Sequence, residues 1–465
     1  MKMTDTIAAT ATPRGTGGIA VIRISGPSAF EIAEKIFTPK SKKHKRLCDI
    51  SPNTAVFGDI SDIDQGIAVK FKAPHSYTGE DTVEISCHGG LYISNAVLSA
   101  AIDAGARAAD AGEFTKTAYL NGKISLTGAE AVGRLIHAAN QTAAKLAHAQ
   151  TKGGLAKKIA AISEDIKHII SEIYVFIDYP GEDLSDVTPQ DMLEKLIPIK
   201  KELEELKETY NIGKIISEGI NCAIVGKPNS GKSTLINMLS KEEVAIVHNT
   251  PGTTRDVVSS KINSGEFVIN LHDTAGIREN FEEVEGLGIK KTFAKIEECE
   301  LIVGVFDASD FDAGDFGILD ILKCEKAKGK NIIPVLNKCD LIECANFDAL
   351  DFGAAPLLIS AKNNSVLHLE ISAFEAIAKY LGDIYRPGDY RLNSGEILTE
   401  ERQYIEICAA CENLNTAIEA LICGFSPDVA GLDLELAAKN LDRCDSKHIS
   451  EDIVARIFKN FCVGK

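Results

Sequence analysis

The run Gly226-Lys227-Pro228-Asn229-Ser230-Gly231-Lys232-Ser233 fits GxxxxGK[ST] and is followed by Thr234. Its glycines let backbone N–H groups curl around phosphate oxygens, Lys232 supplies a point charge to the outer phosphates, and the Ser233 hydroxyl is placed to ligate Mg²⁺. By itself the loop does not separate ATP from GTP. Three later runs do. Asp273-Thr274-Ala275-Gly276 is a DxxG, whose carboxylate can hold the Mg²⁺ water shell and whose Gly276 N–H can meet a γ-phosphate. Asn337-Lys338-Cys339-Asp340 ends in a carboxylate, which only accepts hydrogen bonds; it suits the adjacent N1–H and N2–H₂ donors of guanine and repels adenine. Ser360-Ala361-Lys362 can support the same base. Together, and in this order, the four runs predict GTP binding.

Hydrolysis needs a group that orients water and a counter-charge. Many small GTPases place Gln directly after DxxG; here Ile277 stands there and cannot do it. Glu279, Glu282, Glu283 and Glu285 follow in the same switch, and the residues alone do not choose among them. In the preceding His248-Asn249-Thr250-Pro251-Gly252-Thr253-Thr254-Arg255-Asp256, Thr254 is the candidate second Mg²⁺ ligand. Carbonyls near Asn229 can hold a monovalent cation that neutralises transition-state charge, the work of an arginine finger. Arg255 is the alternative, although it can equally pair with Asp256.

These runs need strand ends to hold them. INCAIVG, FVINLHD, LIVGVFD, NIIPVLN and PLLIS are short apolar strands, each followed by a loop and a helical run, which predicts a parallel sheet with crossover helices. Residues 6–120 mix β-rich runs (IAVIRIS, TAVFGDI, GIAVKF, DTVEISC) with helical stretches at Ala29–Phe37 and Tyr92–Ala104, a compact α+β pattern. Leu126 to Ile216 and Ser394 to Lys465 read as helical, with Pro198 predicted to kink the amphipathic run over 190–210. The expected fold is multidomain. An α+β domain over 1–124 precedes a helical domain formed by 125–217 and 382–465, into which an α/β P-loop domain, 218–381, is inserted.

Composition narrows the function classes. The 465 residues carry 50 Lys and Arg against 67 Asp and Glu, a net charge of −17. That sign excludes a broad nucleic-acid coat and leaves a local patch, such as Lys40, Lys42, Lys43, His44, Lys45 and Arg46, or a basic partner. Trp is absent, so stacking platforms for bases are not evident. No apolar run approaches the ~20 residues that span a bilayer, and the first residues lack a signal-peptide core. The expected location is the cytoplasm, with no membrane partner. The 12 cysteines are scattered, and Cys408 and Cys411 sit at helical spacing as packing thiols.

GKPNSGKSTLIN, GTTRD and DTAGIRE, with a long helical frame and the terminal Phe461-Cys462-Val463-Gly464-Lys465, resemble the MnmE (TrmE) tRNA modification GTPases. ATPRGTGGIAVIRISGPSA, APHSYTGEDTVEISCHGG and GEFTKTAYLNGK in the first domain agree, so the resemblance spans essentially the whole chain. It implies modification of the wobble uridine of certain tRNAs at carbon 5, using a one-carbon unit from a tetrahydrofolate (5-formyl or methylene) held by a folate-binding-like first domain that also makes a homodimer. The implied partner is the flavoprotein MnmG (GidA), in a heterotetramer, with FAD only on that partner. The implied folate ligands are Arg23, Glu80, Lys123 and Lys465. Potassium-driven dimerisation of the GTPase domains would use Asn229, His248, Thr250 and Thr253 around the ion. Ser233 and Thr254 match the Mg²⁺ ligands, Glu285 the water-orienting glutamate, and Cys462 a thiol that we read as packing. The chain departs from the family pattern at His248, Ala111, Thr117, Ser125 and Arg134. The competing reading is a GTPase switch in ribosome assembly without folate chemistry, although no RNA-binding module follows residue 381.

Overall fold

The computed structural model describes residues 5–41, 46–178, 188–241, 258–272, 296–297, 299–310, 313–342, 355–385, 389–445, 451–459 and 461–464. The chain divides into two compact units, one made of 1–136, 148–204 and 405–465, the other of 137–147 and 205–404.

The first unit opens with a seven-stranded sheet: β1 (Ile7–Thr10), β2 (Ile19–Ser25), β3 (Phe37–Pro39), β4 (Ala55–Ile60), β5 (Asp64–Phe71), β6 (Thr82–His88) and β7 (Arg107–Ala108). The spatial order is β3-β4-β5-β6-β2-β1-β7, antiparallel except where β7 runs parallel to β1. Alternation along β2 sends Ala20, Ile22 and Ile24 into a core shared with α1 (Ala29–Ile36) and α2 (Leu91–Asp103). Arg23 therefore points to the other face. There α3 (Glu113–Leu120) contributes Phe114, packed with Ile7, Ala9, Ala109 and Tyr77. The sequence expectation carried the first helix to Phe37; that residue instead opens β3 and pairs with Ile60.

Helices complete this unit. They include α4 (Leu126–His137), α5 (Gln141–Thr151), α6 (Gly154–Asp178) and α7 (Pro189–Glu208), and later α13 (Glu401–Ile422), α14 (Pro427–Asp445) and α15 (Glu451–Lys459), with most of α5 and one end each of α4, α7 and α13 counted in the second unit. Ser163 Oγ donates to Asp442 Oδ1 at 2.8 Å, joining α6 to α14. Pro198 lies inside α7, which continues on both sides of it. Cys411 is buried on α13 and Cys408 half-buried. Three departures have local structural roles. Ser125 caps α4, its Oγ accepting from Gly128 N at 3.1 Å. Thr117 Oγ1 returns to Glu113 O within α3, and Arg134 Nη2 donates to Gln150 Oε1.

The second unit contains α8 (Tyr210–Glu218), β8 (Ile220–Val225), α9 (Lys232–Lys241), β9 (Val258–Asn263), β10 (Val268–His272), β11 (Leu301–Asp307), α10 (Ala313–Ala327), β12 (Asn331–Asn337), β13 (Leu357–Ser360), β14 (Ser365–Val366), α11 (Ala373–Tyr385) and α12 (Asp389–Ser394). The sheet order is β14-β13-β12-β11-β8-β10-β9. Its five central strands, those expected from sequence, are parallel; β9 and β14, which were not expected, cap the edges antiparallel. The parallel strands are near-continuous apolar runs because crossover helices cover both faces, as in β11, where Leu301 to Phe306 are all buried. From β8 the chain runs through α9 and the edge strand β9 to β10, which lies beside β8, and then crosses to β11 on the other side of β8. Strand order reverses there, the place at which open α/β sheets hold ligands beyond the carboxyl ends of their strands.

Candidate functional site

The phosphate-loop motif lies at that switch point, directly after β8. It joins β8 to α9, so its N–H groups and the positive end of α9 face the same space. Asn229 (φ 65°) and Gly231 (φ 93°) are left-handed, which turns the loop back on itself. A Cβ at Gly231 would run into Asn337 Nδ2, so only glycine fits. Lys232 Nζ donates to Gly226 O at 2.7 Å and also to Lys227 O, which holds the ammonium over the loop. Ser230 Oγ is buried with no hydrogen-bond partner among the described residues. Ser233 and Thr234 lie in the first turn of α9.

Asn337 fastens this loop to the two runs assigned to the base. It is 3% exposed; its Nδ2 donates to Ser230 O at 3.0 Å, and its Oδ1 accepts from Ala361 N at 3.0 Å. Losing the side chain would strand two backbone groups at about 1–3 kcal/mol each. Lys338 is left-handed (φ 65°) and leads into a 3₁₀ turn, Cys339–Leu341, that exposes Asp340. Ser360 and Ala361 are buried at the end of β13, and Lys362 is exposed beyond them. The fold thus brings Asn229, Ser230, Gly231, Lys232, Ser233, Thr234, Asn337, Lys338, Asp340, Ser360, Ala361 and Lys362 to one end of one sheet. A residue that the motifs did not name joins them. Asp307, the last residue of β11, takes the Lys338 ammonium at 2.5 Å. Burial pushes the Asp307 carboxyl up, but hydrogen bonds from Lys338 and Ser309 outweigh it and hold the group below the ordinary carboxylate range.

His248, Asn249, Thr250, Pro251, Gly252, Thr253, Thr254, Asp273, Thr274, Ala275, Gly276, Glu285 and Lys465 lie outside the described residues. So do Arg255, Asp256, Ile277, Glu279, Glu282 and Glu283, and the patch residues Lys42, Lys43, His44 and Lys45.

A second polar cluster lies in the first unit. Arg23 sits opposite Glu84 in the β2–β6 register, and its Nε and Nη2 reach Glu84 Oε1 at 2.9 and 2.8 Å. The guanidinium stands 5.4 Å from the centre of the Tyr77 ring and 5.5 Å from that of Phe114, cation–π contacts worth roughly 0.5–2 kcal/mol. Tyr77 is fixed by a 2.9 Å bond between its hydroxyl and Thr115 Oγ1. The chain's end closes over this cluster. Ala111 bridges Val463, Gly112 N donates to Cys462 O at 3.3 Å, and Arg23 Nη1 reaches Gly464 O at 3.4 Å. Gly464 is left-handed (φ 99°), and a Cβ there would collide with Thr10 O.

Glu80 and Lys123 belong to a neighbouring wall. Lys123 packs its stem on Gly79 and donates to Pro74 O at 2.9 Å, while Asn121 Nδ2 donates to Thr78 O at 2.8 Å. Beneath them Ser25, Thr78 and Thr82 form a buried hydroxyl network, with 2.7 Å between Ser25 Oγ and Thr78 Oγ1. Burial raises the Glu80 carboxyl above its ordinary range, and the bond to Ser25 partly opposes this. Tyr77 and Phe114 were not singled out from sequence, although both lie in quoted segments. Alternation along a strand gives no sign of which aromatics come to rest beside Arg23.

No described helix is long and apolar enough to cross a membrane. Residues 6–123 match the family model for the GTP-binding protein TrmE N-terminus, and residues 126–462 that for the MnmE helical domain. A tRNA modification GTPase MnmE of Alkaliphilus metalliredigens is 37% identical, with 100% of both chains covered. Its counterpart in Clostridioides difficile is also 37% identical with 100% of both covered, and that of Thermotoga maritima is 38% identical over 99% of this chain and 100% of its own. A solved GTP-binding protein of Sulfolobus solfataricus in complex with GDP overlaps 50% of this chain and 66% of its own at 19% identity, with a TM-score of 0.23, too loose a match to bear on fold or function. With both family models matched in order and relatives of this identity aligned from end to end, the chain belongs to the MnmE (TrmE) family of tRNA modification GTPases.

Proposed function

We propose that this protein is the GTP-hydrolysing component of a tRNA wobble-uridine modification system in the cytoplasm. The observation that carries the nucleotide half is Asn337, which ties the phosphate loop to the Ser360–Lys362 run through two 3.0 Å bonds and so fixes phosphate and base sites at one spacing. The donor set fits a Mg²⁺-nucleotide: backbone N–H groups, the Lys232 ammonium and a serine hydroxyl at a helix start are the partners that phosphate and a hard cation need. Ser233 and Thr254 would hold Mg²⁺. Asn229, His248, Thr250 and Thr253 would hold K⁺, which supplies positive charge against the phosphates. Asp273 and Gly276 would complete the phosphate side, Asp340 would read guanine, and Glu285 would orient the attacking water. Dimerisation of the P-loop domain, 218–381, would assemble this arrangement and drive conformational cycling.

The carbon-5 chemistry belongs to the first domain. Arg23 and Lys465 suit the carboxylates of a tetrahydrofolate tail, and Glu80 suits the donor groups of a pterin, with Lys123 beside it. The half-buried setting of Glu80 and the aromatic lining at Arg23 fit a flat, partly charged ligand. The folate supplies a one-carbon unit. The homodimer, tRNA and a flavoprotein of the MnmG type complete the system, with FAD on that partner. The match of residues 6–123 to the family favours this reading over a ribosome-assembly switch.

The test is nucleoside analysis of tRNA with and without the protein, coupled to GTP turnover of the purified full chain. Loss of the modified wobble uridine on deletion, turnover stimulated by K⁺ over Na⁺, and a Glu285→Ala variant that binds GTP while hydrolysing it orders of magnitude more slowly are expected. Unchanged tRNA nucleosides would refute the modification role; indifference to the cation would remove potassium.

A further inference from the structure

Asp307 ends β11 directly across from Asn337, which ends β12, in a parallel register that runs unbroken from Leu301↔Asn331. The two carboxylate oxygens have separate partners. Oδ1 accepts from Ser309 N at 3.0 Å and Ser309 Oγ at 2.6 Å, an Asx turn closed on its own loop. Oδ2 is left for Lys338 Nζ, at 2.5 Å. A second strand-end tie, from Ala308 N to Asn337 O at 2.9 Å, fixes the two loops to each other. The carboxylate therefore cannot swing away without breaking three bonds. Lys338 leaves β12 in a left-handed conformation that returns its side chain toward β11.

We infer that Asp307 is a positioning residue for nucleotide recognition, holding the Lys338 side chain extended beside the base site, with Ser309 locking the carboxylate. This rests on the proposed binding of guanine nucleotide at residues 218–381. A free lysine stem gives up roughly 2 kcal/mol of rotamer entropy when ordered. A chain already held by Asp307 surrenders less on binding, so nucleotide dwells longer. The geometry is distinct from that of Asn337, which braces backbone, and of Asp340, which would touch the base.

The measurement is release of fluorescent mant-GDP from the full chain in Mg²⁺ buffer. Asp307→Ala should speed release about tenfold, as the larger part of the Lys338 ordering cost is then met on binding. If Asp307 acts through Lys338, then Asp307→Ala adds nothing to Lys338→Ala, and the double variant releases nucleotide at the Lys338→Ala rate within about twofold. A merely structural aspartate would give the product of the two single effects, and that result overturns the inference. So does an Asp307→Ala rate within twofold of the unaltered chain. Ser309→Ala keeps the test open if Asp307→Ala fails to fold. It should speed release about threefold, again only when Lys338 is present; an equal effect in the Lys338→Ala background overturns the inference. Failure of the unaltered chain to bind mant-GDP would overturn the nucleotide reading and this inference together, whereas binding with additive variants removes the inference alone.

Discussion

The carboxyl edge of the second unit's sheet and the cluster around Arg23 are built by opposite routes. At the sheet edge, the loop after β8 carries the proposed phosphate-binding groups on consecutive residues, and the Asn337 bonds set its spacing from the neighbouring loop. The Arg23 cluster has no such run. It takes a guanidinium from β2, one ring from the loop before β6, another from α3, and a carbonyl from Gly464 near the chain's end. The first site is a local conformation that a sheet presents; the second exists only while distant segments stay docked. Damage should therefore be sharp and confined in the first, and graded and dependent on docking in the second.

Gly231→Ala should do the most damage, and confine it to the nucleotide side. A Cβ there meets the Asn337 amide, and the left-handed φ is strained for alanine. About 100-fold weaker mant-GDP binding is expected, with binding of 5-formyl-tetrahydrofolate unchanged in the same preparation. Asp340→Asn should reduce the preference for guanine over xanthine nucleotides by about 30-fold in competition binding, because an amide can donate where the carboxylate only accepts. Gly464→Ala is the matching lesion in the cluster. The collision with Thr10 O should lift the C-terminal segment and weaken folate-analogue binding about tenfold by titration calorimetry, while nucleotide affinity stays within twofold.

The two regions also differ, by a smaller amount, in how pH acts on them. The Glu80 carboxyl is raised by burial, so the folded state holds its proton more tightly than the unfolded chain. Stability then falls as pH rises from the ordinary carboxylate range to the raised one, and Glu80→Gln should flatten that fall in denaturant titrations. Asp307 runs the other way. Its folded pKa is depressed because Lys338 and Ser309 outweigh burial. Its contribution is present above its unfolded pKa and lost as pH falls through the folded value, and Asp307→Asn should abolish that acid-side loss.

The same contrast explains what could be read in advance. Residues Asn229 to Thr234 were legible because phosphate binding by backbone demands glycine at fixed intervals, and a strand and helix on either side are visible as an apolar run and an amphipathic one. Asp307 was not. It is one aspartate at the end of an apolar strand, and only the register of β11 against β12 puts it opposite Asn337. Phe37 misled because an apolar residue after a helix continues its stripe; the pairing with Ile60 turned it into a strand. The edge strands β9 and β14 escaped because they are polar, bordered on one side only and short in the case of β14.

For this chain, the residues alone set the order of α+β, helical and inserted α/β segments and the likeness to a family, and they carry the proposed chemistry of the nucleotide motifs. Each rests on periodicity or on residue types within a few positions of one another, where covalent connectivity already fixes the distance. Tertiary structure decided which side chains share a space: Lys338 with Asp307, Arg23 with Tyr77 and Phe114, Gly464 with Thr10. Those meetings depend on strand register and on the docking of a segment 441 residues away from its partner, from Arg23 to Gly464. No local propensity encodes a separation of that kind, because the free energy that closes it comes from the packed core as a whole.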